Sequence, residues 1–123
     1  MTDTRADPAR FIAMAQRLLT RWGHVGTLSR PKTTGPSYNP TAARPETSDA
    51  LMVATDYKAD DIDGTRIKAA DKEVYLAAEG LAFEPSTSDT LLEPGNSKPF
   101  KIIAVETVRI RTTPIIHVLQ CRR

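Results

Sequence analysis

Few residues of this chain have types that could do chemistry. His24, His117 and Cys121 are its only imidazoles and its only thiol. A catalytic base needs a positioned partner. His24 follows a glycine and His117 sits in an apolar run, and neither lies in a motif that supplies one. Cys121, between Gln120 and Arg122, has a cationic neighbour that lowers a thiol pKa, but no signature of a cysteine nucleophile surrounds it, so it reads as structural. Asp60-Asp61-Ile62-Asp63-Gly64 faintly resembles a calcium loop. With Gly64 at the sixth position of such a loop, its two ends fall on Ala59 and Ala70, so the terminal carboxylates are missing. A solvated acidic turn is the better reading. No Cys/His spacing fits zinc, no glycine-rich phosphate loop occurs, and the basic residues lack the interleaved aromatics of a single-strand binder. The expectation is a non-enzymatic protein with no catalytic residue, no metal and no cofactor.

A binding or structural role then depends on the elements that carry the remaining residues. The chain has 123 residues, 40% hydrophobic and 26% charged, which suits one globular domain over 1–123. One cysteine excludes an internal disulfide framework. No apolar run approaches the roughly 18 residues of a membrane span, and the opening does not read as a signal peptide, so a cytoplasmic product is expected. The net charge of +2 hides three blocks: +3 over residues 1–49, −6 over 50–97 and +5 over 98–123. That is too small a basic excess for a typical nucleic-acid binder. Opposed blocks suit contacts with copies of the chain or with other proteins; the alternative is that they interleave on folding.

Asp7-Pro8 reads as a helix start. Phe11, Ala15, Leu18 and Trp22, flanked by Ile12 and Leu19, form an apolar stripe over about 8–22, and Gly23 ends it. Residues 24–30 read as a first strand. Residues 31–49 then hold four prolines and no Ile, Leu, Val, Met or Phe. With nothing apolar to offset its ordering entropy, this stretch is expected to be a long Pro/Thr-rich loop. From Ala50 the period becomes two. Strands are expected at Leu51–Thr55, from Thr65 to Ala69, at Val74–Ala78, briefly at Thr90–Leu92, at Phe100–Ile110 with a bulge near Glu106-Thr107, and at Ile115–Cys121. The fold class is therefore mainly β: a small antiparallel β-barrel, over about 24–30 and 50–122, with one N-terminal helix and a long loop at about 31–49.

The order of segments from residue 63 onward resembles the small head-closure proteins of long-tailed phages, also called stoppers or head–tail joining proteins, with relatives in prophages and gene transfer agents. The segments are Asp63-Gly64-Thr65-Arg66-Ile67, Ala70-Asp71, Val74-Tyr75-Leu76, Gly80-Leu81, Pro85, Ser88-Asp89, Ile102-Ile103-Ala104-Val105 and the closing Leu119-Gln120-Cys121-Arg122-Arg123. Gly26-Thr27-Leu28, the following Pro/Thr-rich stretch and an N-terminal helix also fit. Ala70 and Ser88 stand where the pattern has glycine.

The resemblance implies a structural virion protein of the neck, made in the host bacterial cytoplasm. It would form a six-fold or twelve-fold ring of its own copies below the portal–adaptor ring, close the DNA-filled capsid, and offer a surface to tail terminator or tail tube proteins, with no membrane contact. The long loop would reach into the channel, where Lys32 and Arg44 meet packaged DNA and Tyr38 and Asn39 make contacts near its tip. Copies of the loop would pair by strand addition. A closed ring needs two different faces. Asp60 and Asp61 on one side, with Arg109, Arg111, Arg122 and Arg123 on the other, are the candidates for ring or partner contacts. Two alternatives stay open: another neck component, such as a tail terminator or adaptor, and a small β-barrel module binding nucleic acid or a ligand.

Overall fold

A computed structural model describes residues 8–38, 41–57, 62 and 64–123. Asn39, Asp60 and Asp61 lie outside the described residues. The protein is mainly β, with a closed six-stranded antiparallel barrel and one N-terminal helix.

Helix α1 runs from Pro8 to Trp22. It buries Phe11, Ile12, Ala15 and Leu19, while Trp22 stays 61% exposed beneath the guanidinium of Arg21. The expected stripe ending on Trp22 is thus corrected by part of a turn. The buried arc is centred on Ile12, Ala15 and Leu19, and the last turn carries Trp22 off it. Gly23 ends the helix by donating its N–H to the Leu19 carbonyl at 2.9 Å. A Cβ there would stand 2.2 Å from that oxygen, so only glycine fits.

The strands are β1 (His24–Thr34), β2 (Thr41–Asp56), β3 (Lys72–Ala77), β4 (Thr90–Leu92), β5 (Phe100–Ile110) and β6 (Thr113–Arg122). Around the barrel their order is β1-β2-β3-β6-β5-β4, with β4 closing back on β1. Residues two apart on a strand share a face, which divides the apolar side chains in two. Leu28, Met52, Val74, Leu76, Leu91, Phe100, Leu119 and Cys121 fill the interior. Val53, Tyr75, Val108, Ile116 and Val118 face outward under α1. Phe11 meets Tyr75 edge-to-face, with centroids 5.8 Å apart. Each fully buried Leu contributes about 2 kcal/mol.

Three further expectations change. Residues 31–49 are not a structureless loop: Lys32, Thr33 and Thr34 pair with Ala43, Ala42 and Thr41, so β1 and β2 continue as a ribbon beyond the barrel. Threonine-rich sequence favours extended backbone, and the described prolines of this stretch fall at the bulge and beyond the end of β1. No strand forms from Thr65 to Ala69, because that stretch bends into a turn in which the Asp71 carboxylate accepts the N–H of Lys68 at 3.0 Å. The irregularities of β5 lie between Ile102 and Ala104 and between Val108 and Arg109, not at Glu106-Thr107. The first inserts Ile103, and this shifts the inward positions to Val105 and Thr107.

Candidate interaction surface on the β1–β2 arm

Beyond Ser29, β1 leaves its partner β4. β2 meets β3 only from Met52 onward. From Arg30 and Glu46 outward, among the described residues, the two strands pair only with each other. They make a two-stranded arm whose outer backbone edges face away from its ladder.

The ladder steps from Arg30↔Glu46 to Lys32↔Ala43, so Pro31 stands opposite both Arg44 and Pro45. Neither proline has an N–H to give, and a bulge results. Lys32 Nζ bridges this step to Glu46 at 3.0 Å. Gly35, at φ 87°, starts the tip, and Tyr38 is 89% exposed there. Pro31, Lys32, Arg44 and Pro45 are exposed as well. Of the four residues assigned to the channel loop, the structure thus places Lys32 and Arg44 beside the bulge and Tyr38 at the tip. Lys32 is engaged with Glu46.

The root of the arm is fastened to the loop formed by residues 78–89, which joins β3 to β4. Ser48 Oγ accepts the Ala82 N–H at 2.9 Å. Arg30 donates Nε and Nη2 to the two oxygens of Asp89 at 2.9 and 3.0 Å, and Nη2 to the Glu84 carbonyl at 2.6 Å. Its guanidinium lies 4.4 Å from the Phe83 ring centroid. The Asp89 side chain is fully enclosed. Sequence reasoning missed Arg30 and Ser48, and the part this loop plays in holding them. One signal was readable: Arg30 is two residues beyond Leu28, so a cation takes an inward-facing position and requires a partner.

The interface arginines separate into two groups. Arg109 and Arg111 are exposed beside the turn between β5 and β6, with Arg111 at φ 56° and Arg109 3.9 Å from Glu84. Arg122 is used inside the chain: Nε and Nη2 donate to Asp71 at 2.8 and 2.9 Å. Asp71 is 1% exposed. The Arg122 guanidinium, the Lys68 N–H and the Gln120 amide hold the Asp71 carboxyl well below the usual carboxylate range. Arg123 stacks 3.9 Å from the Phe100 ring centroid and reaches Glu93 at 3.2 Å. Arg122 and Arg123 therefore tie the C-terminus down rather than standing as unengaged surface charges.

The residues weighed for chemistry are dispersed. His24 Nε2 is 3.3 Å from Glu93. His117 is buried inside the barrel with Nδ1 2.9 Å from Thr107 Oγ1. Its burial lowers its pKa, an effect the Arg109 charge adds to and the Glu84 charge opposes. Burial pushes the Cys121 thiol up to about 12, which leaves it protonated and inert. A cleft of about 200 Å³ on the outer wall is lined by Tyr57, Ile67, Glu73, Ala104, Val105, Glu106, Val118 and Gln120; it holds neither histidine nor thiol. Among the described residues no group of three or more His, Cys, Asp or Glu is placed to hold a metal, and no helix is long and apolar enough to cross a membrane. No known protein family, curated protein or solved structure matches the chain.

Proposed function

We propose that the chain is a structural neck protein of a long-tailed phage or a related particle. In this reading its copies form a ring below the portal–adaptor assembly, close the DNA-filled capsid and offer the tail a docking surface. The observation that carries the reading is the arm. A closed barrel has no sheet edge to offer, whereas the arm presents exposed backbone edges, a tyrosine tip and the exposed cation of Arg44. Arms converging on a ring axis could add strand to strand and obstruct a channel that a single arm could not. The segment order from Asp63 to Arg123 supports the same assignment, and the exposed Arg109 and Arg111 supply charge for one face of a ring.

The test is deletion of residues 34–43, which removes the tip and keeps the root. Particles that incorporate the shortened protein normally and leak DNA after packaging are expected. Filled heads that retain their genome as well as wild type would refute the plug role.

A further inference from the structure

We propose that Arg30 latches a hinge at the root of the arm and thereby sets the direction in which the arm points. Two observations meet at one place. Inside the root, one loop holds both strands: Ala82 on Ser48 of β2, and Glu84, Phe83 and Asp89 on Arg30 of β1. One residue farther out the ladder is broken, because Pro31 faces Arg44 and Pro45 and two of these three residues have no N–H. A clamped segment followed at once by an interrupted ladder has the build of a hinge, in which a few residues absorb the change of direction. Residues 31–49 contain no Ile, Leu, Val, Met or Phe with which to fasten the arm to the barrel, so the clamp is what orients it.

Arg30 holds this position through its shape as well as its charge. A planar fork spans both Asp89 oxygens, reaches the Glu84 carbonyl and lies on the Phe83 ring together. A lysine keeps the charge but is a single point of contact. The proposal goes beyond the neck reading and does not depend on it, since it concerns the arm of the free chain.

The experiment is a distance distribution between spin labels on the full chain. Cys121, buried with its thiol pushed up to about 12, stays unlabelled at neutral pH. One pair, Tyr38→Cys with Lys101→Cys, joins the tip to the barrel. A second pair, Lys101→Cys with Thr112→Cys, spans the barrel alone. Arg30→Gln is expected to broaden the tip-to-barrel distribution about two-fold or more, as hinge release does, and to leave the barrel pair unchanged. An unchanged tip distribution with an intact barrel pair would overturn the latch. If Arg30→Gln disturbs the barrel pair too, Arg30→Lys decides by the same criterion: broadening at the tip alone supports the latch, and no broadening rejects it. A failed latch leaves the packaging assay standing, and a failed packaging assay leaves the latch standing.

Discussion

Asp71 and Asp89, each the residue immediately before a strand, β3 and β4, are held in the same way. Each closes a turn: the N–H of Asp71 meets the Lys68 carbonyl and that of Asp89 the Ser86 carbonyl, at 3.0 and 3.1 Å. Each carboxylate accepts the N–H of the residue three positions earlier, at 3.0 and 2.8 Å. Each then takes Nε and Nη2 of one arginine, Arg122 or Arg30. A buried carboxylate is tolerated when its lone pairs are filled, and both are filled by one recipe.

The Asp71 clasp should make stability sensitive to acid. Its folded carboxyl lies below the ordinary value of 3.8. The unfolded chain therefore takes up the proton first as pH falls. The stabilisation is complete above about pH 4 to 5 and is lost as pH drops through the folded value. Urea midpoints from pH 6 to 2 should show wild type well above Asp71→Asn at the upper end, with the gap closing at the lower. A constant gap would contradict the assignment.

His117 acts in a higher window. Burial lowers its folded pKa from 6.5, so the unfolded state binds the proton more readily below that pH. Stability should fall from pH 7 toward the folded value, by at most about 1.4 kcal/mol per pH unit. Replacing His117 by Gln, which keeps a polar group near Thr107, should flatten that part of the curve measured by denaturant unfolding.

Gly26 sits beside the end of β4, next to the Thr27↔Leu92 pair. A Cβ there would stand 2.7 Å from the Leu92 carbonyl oxygen and 2.5 Å from the Met52 sulfur. The methionine can move, whereas the carbonyl belongs to the ladder. Gly26→Ala should cost about 1–3 kcal/mol by overpacking, read as a lower urea midpoint at an unchanged slope.

Cys121 should resist thiol reagents. With its sulfur inside the barrel and its thiol pushed up to about 12, alkylation at pH 8 should proceed only as fast as the chain opens. Native labelling at the rate of a small free thiol would place the sulfur outside the core.

The free protein should sediment as a monomer at micromolar concentration. Among the described residues its most exposed large apolar side chains, Trp22, Val25, Tyr38 and Ile110, lie on four different elements or turns, and its barrel offers no open edge. Ring formation on a template gains from many simultaneous contacts. A tight closed oligomer of the free chain would contradict this.

The barrel and the helix were legible because they rest on period. Leu51–Thr55, Val74–Leu76 and Ile115–Cys121 alternate or run apolar, and the helix end at Gly23 follows from its type. The arm is not legible from apolar content, because its order does not come from apolar side chains of its own. Threonines and well-placed prolines extend a hairpin whose stability comes from its root in the barrel. Ala70-Asp71 and Ser88-Asp89 could be located as turns, but not as buried carboxylates. Their arginines are 51 and 59 residues away in sequence, and no local pattern couples them. Bulge positions were off by a few residues because Ile102-Ile103-Ala104-Val105 is apolar throughout and hides the insertion.

The barrel closes through its shortest stave. β4 joins β1 through Thr27↔Leu92, Leu28↔Leu91 and Ser29↔Thr90, and joins β5 through only Thr90↔Lys101 and Leu91↔Phe100. The arm continues both β1 and β2, and of these β1 is the strand that borders β4. A pull on its tip along the strand direction therefore reaches this seam in shear, with the Arg30–Asp89 clasp standing immediately before it. Mechanically, β4 is the fuse of the subunit, because the ladders on either side of it are the shortest in the barrel.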